Sequence, residues 1–166
     1  MRRLMYLLLV SMLAITAGVA AQIAWQGYRN PTYGYAIALP LGPFLITDAA
    51  SEKGLTLVEE DGRGQIDIYG AVNSEALSPA EFEQALAGAE RIREITYARR
   101  SNSWFVISGY YRREDDSSDD LIFYAKFMFS PDRNTLSAFE ASYPISAKRR
   151  YDPIIERMED SLTAPR

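Results

Sequence analysis

Residues 92–143 constrain the fold more than any other stretch, because four strand-like runs follow one another there, joined by turns. Residues 104–112 are dense in aromatic and β-branched side chains, and Ser101-Asn102-Ser103 links them tightly to the run before. That earlier run, residues 92–100, keeps its strand pattern although Arg91, Arg93, Glu94 and Arg99 interrupt it with charge. In residues 121–130, Leu121, Phe123, Ala125, Phe127 and Phe129 alternate onto one face. The opposite face carries Ile122, Tyr124, Lys126 and Met128, so it too is partly covered. Pro131-Asp132-Arg133-Asn134 then turns the chain into residues 135–143. Phe127 and Phe139 are expected to share a face across this hairpin, so Lys126 and Glu140 fall together on the other, within a rung or two.

The preceding half adds strands and a helix. Residues 33–39 read as a first strand ended by Pro40, and Pro43 is expected to keep the next stretch irregular. Residues 55–59 and 65–72 flank Asp61-Gly62-Arg63-Gly64, a hairpin turn. Ser78-Pro79-Ala80-Glu81 is a capping box with Pro at the first helical position, and Phe82, Ala85, Leu86 and Ala89 form the stripe behind it. Asp152-Pro153 is expected to cap a last helix whose Tyr151, Ile154, Ile155, Met158 and Leu162 lie on one side. The pattern predicts an α+β domain: a mainly antiparallel sheet of about six to seven strands with two main helices packed on it. It spans residues 33–162, after an N-terminal segment at 22–32 and before a tail at 163–166.

The start of the chain reads as an export signal. Arg2 and Arg3 precede an uncharged apolar run over residues 4–17, and Gly18-Val19-Ala20-Ala21 supplies small residues. Val19 and Ala21 suit the two small pockets of a signal peptidase, so cleavage between Ala21 and Gln22 is expected. An uncleaved anchor is the alternative, since residues 4–24 approach bilayer-spanning length. The expected destination is periplasmic or secreted, with membrane attachment only through this segment if it is left uncleaved.

Composition excludes more chemistry than any motif implies. The chain has no His and no Cys, which removes Ser-His-Asp and Cys-His catalysis and any zinc or copper site with imidazole or thiolate ligands. A Ser-x-x-Lys hydrolase is also excluded, because none of Lys53, Lys126 and Lys148 has Ser three residues before it. No glycine loop precedes a helix in phosphate-cradling spacing, so no cofactor is expected. With 18 basic against 22 acidic side chains there is no basic stripe for nucleic acid. Without disulfides, stability must come from packing, to which 11 Tyr and 7 Phe contribute.

The candidate sites are few. Asp115, Ser117 and Asp119 have the one-three-five spacing of a calcium loop. Asp120 then stands where the turn glycine belongs and Lys126 where the bidentate Glu belongs, so the run reads as a solvated hairpin loop. Glu59-Glu60-Asp61 reads as charge blunting a hairpin mouth, and Lys148-Arg149-Arg150 as an exposed run just ahead of the last helix. Tyr97, Arg99, Trp104, Tyr110, Lys126 and Glu140 combine aromatic platforms with charge, as a sugar- or peptide-binding face does, although strand aromatics more often serve the core. Tyr110, Tyr111, Lys148, Arg149 and Arg150 are the candidate binding residues, because Tyr and Arg dominate interface hot spots.

The phrases Ile95-Thr96-Tyr97, Trp104-Phe105-Val106-Ile107-Ser108-Gly109-Tyr110, Tyr143-Pro144 and Tyr151-Asp152-Pro153-Ile154-Ile155 resemble a group of uncharacterised exported bacterial proteins. Their architecture is similar to the Mog1/PsbP-like fold, an antiparallel sheet between helices. That group includes a photosystem extrinsic subunit and a nuclear-transport partner, which share no reaction. The resemblance implies a non-enzymatic binding or assembly module of the bacterial envelope, with an unidentified envelope protein or glycan as partner. An enzyme using carboxylates with Tyr or Arg is the alternative, and a structural accessory of a larger complex is a third.

Overall fold

A computed structural model describes residues 22–112 and 120–166. The segment through Ala21 that reads as an export signal, and the acidic run with Asp115, Ser117 and Asp119, lie outside the described residues. Among the described residues nine strands and two helices follow in the order β1 (Ala24–Arg29), β2 (Ala36–Leu41), β3 (Phe44–Ser51), β4 (Gly54–Glu59), β5 (Gln65–Val72), α1 (Pro79–Ala87), β6 (Ile92–Arg100), β7 (Trp104–Tyr111), β8 (Leu121–Phe129), β9 (Thr135–Pro144) and α2 (Lys148–Ser161). Strands β3-β4-β5-β9-β8-β7-β6 form one seven-stranded antiparallel sheet, and β1 and β2 form a separate hairpin.

The sheet divides two apolar layers. On one side α2 and the β1–β2 hairpin cover Leu57, Ile66, Ile68, Phe139, Ala141 and Tyr143 with Tyr35, Ile37, Leu39, Tyr151, Ile154, Ile155 and Met158. On the other, Phe82 and Leu86 of α1 pack on Phe105, Ile107, Phe123, Phe127 and Phe129. The capping box forms as the sequence dictates: the Ser78 hydroxyl accepts from the Glu81 amide, and the Glu81 carboxylate accepts from the Ser78 amide. Ala85 is exposed, so the buried stripe of α1 is narrower than its apolar pattern suggests.

Several expectations need correction. The strand expected at residues 33–39 is the second, β2, which starts at Ala36 and runs through Pro40; the N-terminal segment expected at 22–32 supplies its partner β1. The amides of Ala36 and Ala38 on the outer edge of β2 donate to Thr163 Oγ1 and Ser161 Oγ, not to another strand. A proline next along that edge breaks no ladder. Pro43 does not keep the following residues irregular, because β3 begins at Phe44 and pairs along β4 as an edge of the sheet. The last helix begins at Lys148, after a 3-10 turn at Ile145–Ala147, so Lys148, Arg149 and Arg150 form its first turn and Pro153 lies inside it. The missing amide of Pro153 deprives the Arg149 carbonyl of a partner, and Arg149 is exposed, where water can replace it.

Phe127 and Phe139 do not share a face. Phe129 pairs with Leu136 across residues 130–135, which sets Phe127 opposite Ala138 and Lys126 opposite Phe139. Lys126 therefore points to the α2 side and Glu140 to the α1 side. Glu59 is no solvated hairpin charge either. It is 4 % exposed; its Oε2 accepts from the Tyr151 hydroxyl at 3.0 Å, and its Oε1 faces the Arg150 guanidinium.

Candidate functional site

The β1–β2 hairpin lies beside α2 over one half of the sheet, and among the described residues no second helix covers β6 and β7 on that side. A groove of about 410 Å³ results between the free flank of α2 and the sheet. Its helical wall is Lys148, Asp152, Ile155, Glu156 and Glu159, one stripe at three- and four-residue spacing. Its floor follows from strand register. Tyr97, Ser108 and Tyr124 occupy one rung across β6, β7 and β8, while Tyr110, Ile122 and Tyr143 occupy another across β7, β8 and β9. Period-two alternation turns both rungs toward α2, so four tyrosines meet there.

The charges of the groove are unequally engaged. Lys148 Nζ donates to both oxygens of Asp152, at 2.8 and 2.9 Å. The Tyr124 hydroxyl donates to Glu159, and burial together with that carboxylate pushes its pKa well up. Lys126 Nζ donates to the Glu159 carbonyl at 2.8 Å and lies 5.7 Å over the Trp104 ring; burial lowers its pKa. Glu156 is exposed and has no partner among the described residues. Tyr97 is 48 % exposed. Tyr143 is only 3 % exposed and stacks on Tyr151 with ring centres 4.1 Å apart. Its hydroxyl nevertheless has no hydrogen-bond partner among the described residues, and burial, then the nearby Asp152, pushes its pKa up to about 12. At the rim, the Arg93 guanidinium lies 5.0 Å over the Tyr110 ring and pairs with Asp120 at 2.7 Å.

A second depression opens on the α1 side, over β4, β5 and β9. Register sets Asp67 opposite Glu140 there. The Tyr69 hydroxyl donates to Glu140 Oε1 at 2.5 Å and Arg91 to Oε2 at 2.8 Å. Thr56 and Gln65 donate to Asp67. Burial, reinforced by Glu140, raises the pKa of Tyr69 well above that of a free phenol. Two carboxylates, a tyrosine and an arginine thus converge, but both carboxylates already accept hydrogen bonds from their neighbours. Among the described residues no cluster of three or more carboxylates is arranged to hold a metal.

The candidate binding residues are distributed unevenly. Tyr110 and Lys148 come together in the groove. Tyr111 lies on the opposite face, stacked on Phe123 at 4.8 Å with Arg91 over it. Arg150 is committed to Glu59, and Arg149 is exposed away from the groove. Tyr124, Tyr143, Glu156 and Glu159 were not singled out in the sequence. The helical spacing of Lys148, Asp152, Glu156 and Glu159 is the signal that marks one wall, once the helix is known to start at Lys148.

No family model and no curated protein sequence matches the chain. Solved structures do match in shape. Cyanobacterial PsbP from Synechocystis superposes with a TM-score of 0.57 at 10 % identity, covering 90 % of this chain and 97 % of its own. The Ran-binding protein Mog1p of Saccharomyces cerevisiae gives 0.56 at 9 % identity, over 86 % and 96 %. A mutant form of Mog1 gives 0.56 at 8 %, over 85 % and 96 %. The fold is Mog1/PsbP-like: an α+β arrangement of a seven-stranded antiparallel sheet with two helices.

Proposed function

We propose that this chain is an exported, non-enzymatic binding module of the bacterial envelope, seating part of a protein or glycan partner in the groove beside α2. The observation that carries the reading is the groove's floor of four tyrosines, with Tyr97 exposed and the Tyr143 hydroxyl without a partner among the described residues. Aromatic rings and a phenol oxygen open to a groove are groups on which a partner's side chains can pack and to which they can hydrogen-bond. The fold adds loose support, since one protein of the same shape is named for binding another protein.

Catalysis at Asp67 and Glu140 is the second reading, favoured by their convergence with Tyr69 and Arg91. Their commitment to neighbouring donors argues for a structural role instead. Turnover of an envelope substrate, abolished by Glu140→Gln, would establish the enzyme reading.

Site-specific photo-crosslinking in expressing cells tests the groove. A benzophenone side chain in place of Tyr97 should give a discrete adduct, while one in place of Val72, which is 66 % exposed at the end of β5 opposite Thr135 and far along β9 from Tyr143, should not. Adducts from neither position, or equally from both, would refute the groove as the binding site. Export carries its own expectation. Protein recovered from the periplasm should begin at Gln22 or within one or two residues of it, as Edman or mass-spectrometric sequencing would read. Full-length chain found only in the membrane fraction would mean an uncleaved anchor.

A further inference from the structure

The groove's unengaged groups share one chemistry. Among its charged residues are one cation and three carboxylates, and the cation, Lys148, is held by Asp152. Glu159 is engaged by Tyr124 and Lys126, leaving Glu156 as an exposed carboxylate with no counter-ion among the described residues. The same groove is lined by the exposed ring of Tyr97 and by Tyr143, whose hydroxyl has no partner among the described residues. A carboxylate, an aromatic face and a phenol oxygen together make a receptor for a cation.

The molecule already fills such a set elsewhere. Arg93 lies over Tyr110 and pairs with Asp120. Arg91 lies over Tyr111 and pairs with Glu140. In both places one guanidinium stacks on a tyrosine and meets a carboxylate. Tyr97 on the floor and Glu156 on the helical wall offer the same two elements, with no arginine among the described residues lining the groove.

We infer that the groove takes an arginine side chain of a protein partner, its guanidinium stacked on Tyr97 and hydrogen-bonded to Glu156 and to the Tyr143 hydroxyl. This rests on the groove being the binding site. It deepens that reading by selecting a basic protein segment over a glycan. Arginine fits better than lysine because its planar fork can stack on an aromatic face while donating to a carboxylate and a phenol oxygen at once; an ammonium is a point charge. The excess of carboxylates disfavours an anionic ligand. The volume, about 410 Å³, falls within the range of sites that enclose small ligands and leaves room for backbone on either side of one long side chain.

The test titrates the full chain recovered from expressing cells with a capped Gly-Arg-Gly peptide, read by NMR amide shifts. Capped Gly-Lys-Gly, capped Gly-Glu-Gly and chitotriose are the comparators. The arginine peptide should bind saturably, with shifts centred on β6 and the exposed flank of α2, and more weakly as salt is raised. Glu156→Gln should weaken it about tenfold and Tyr97→Ala about threefold to tenfold, with thermal unfolding unchanged in both. Equal binding of the lysine or glutamate peptide would overturn the assignment, as would an undiminished affinity in Glu156→Gln. Binding of chitotriose in place of the arginine peptide would overturn it while leaving the groove as the site. Binding of no probe would overturn it even if the Tyr97 crosslink forms.

Discussion

Phe127→Ala should lower the free energy of unfolding by about 3–5 kcal/mol, near the top of what one core truncation costs. Phe127 is 1 % exposed and stacks on Phe105 with ring centres 4.6 Å apart and planes 13° from parallel. Phe82 of α1 closes over it at 5.5 Å. Its neighbour across β9 is Ala138, too small to fill the space vacated, and Phe105 opposite it on β7 is already packed between Phe82 and Phe129. The loss therefore combines lost burial with a cavity that rigid flanking strands cannot close. Denaturant unfolding measures it directly, and a loss below about 1 kcal/mol would mean that α1 collapses into the gap. Because Phe127 lies on the α1 side of the sheet, arginine-peptide affinity should stay at the parent value while the protein remains folded.

Gly109→Ala should cost about 2–3 kcal/mol and should also impair the groove. A Cβ at this position would lie 1.9 Å from the Glu94 carbonyl oxygen and 2.9 Å from Ile95 Cα, both backbone atoms of β6. No side-chain rotamer relieves such a clash, so the strand itself must move. Gly109 pairs with Ile95 between the two register shifts of β6, where the edge strand bulges against its neighbour. Displacing β6 carries Tyr97 away from α2. The variant should lose hydrogen-exchange protection along β6 before the rest of the sheet and bind the peptide less tightly. Retained protection there, with an unchanged melting temperature, would show that the bulge can absorb a methyl group.

The legible parts of this fold are those specified by neighbours in sequence. Residues 65–72 and 92–100 match β5 and β6 end to end, because turn chemistry and alternation both mark their limits. The helix behind Ser78 starts where its capping box puts it. What depends on distant partners was not legible. Strand β3 opens beside Pro43 and is defined by β4, and the edge of β2 is completed by Ser161 and Thr163 from the far end of the chain. Glu59 looked like a surface charge because its phenol donor, Tyr151, is remote in sequence. The facing of Lys126 and Glu140 failed on parity alone: residues 130–135 are even in number, and each one-residue change of register exchanges the faces of a strand. The groove was half visible, since Tyr97 and Tyr110 stood out as aromatic platforms, but its opposite wall needed the true start of α2.

The placement of the two tryptophans determines what an optical experiment on this protein observes. Trp25 packs into the layer around α2, with the Arg157 guanidinium 4.4 Å from its ring, and Trp104 lies on the same side of the sheet beneath Lys126. The phenylalanine layer under α1 contains no tryptophan. Indole fluorescence is thus a one-sided reporter, sensitive to loosening around α2 and blind to early loosening around α1. Far-ultraviolet dichroism samples the backbone of both layers, so coincident fluorescence and dichroism transitions would mean that the sheet transmits unfolding from one side to the other. A fluorescence signal lagging the dichroism would identify the α1 layer as the one that yields first.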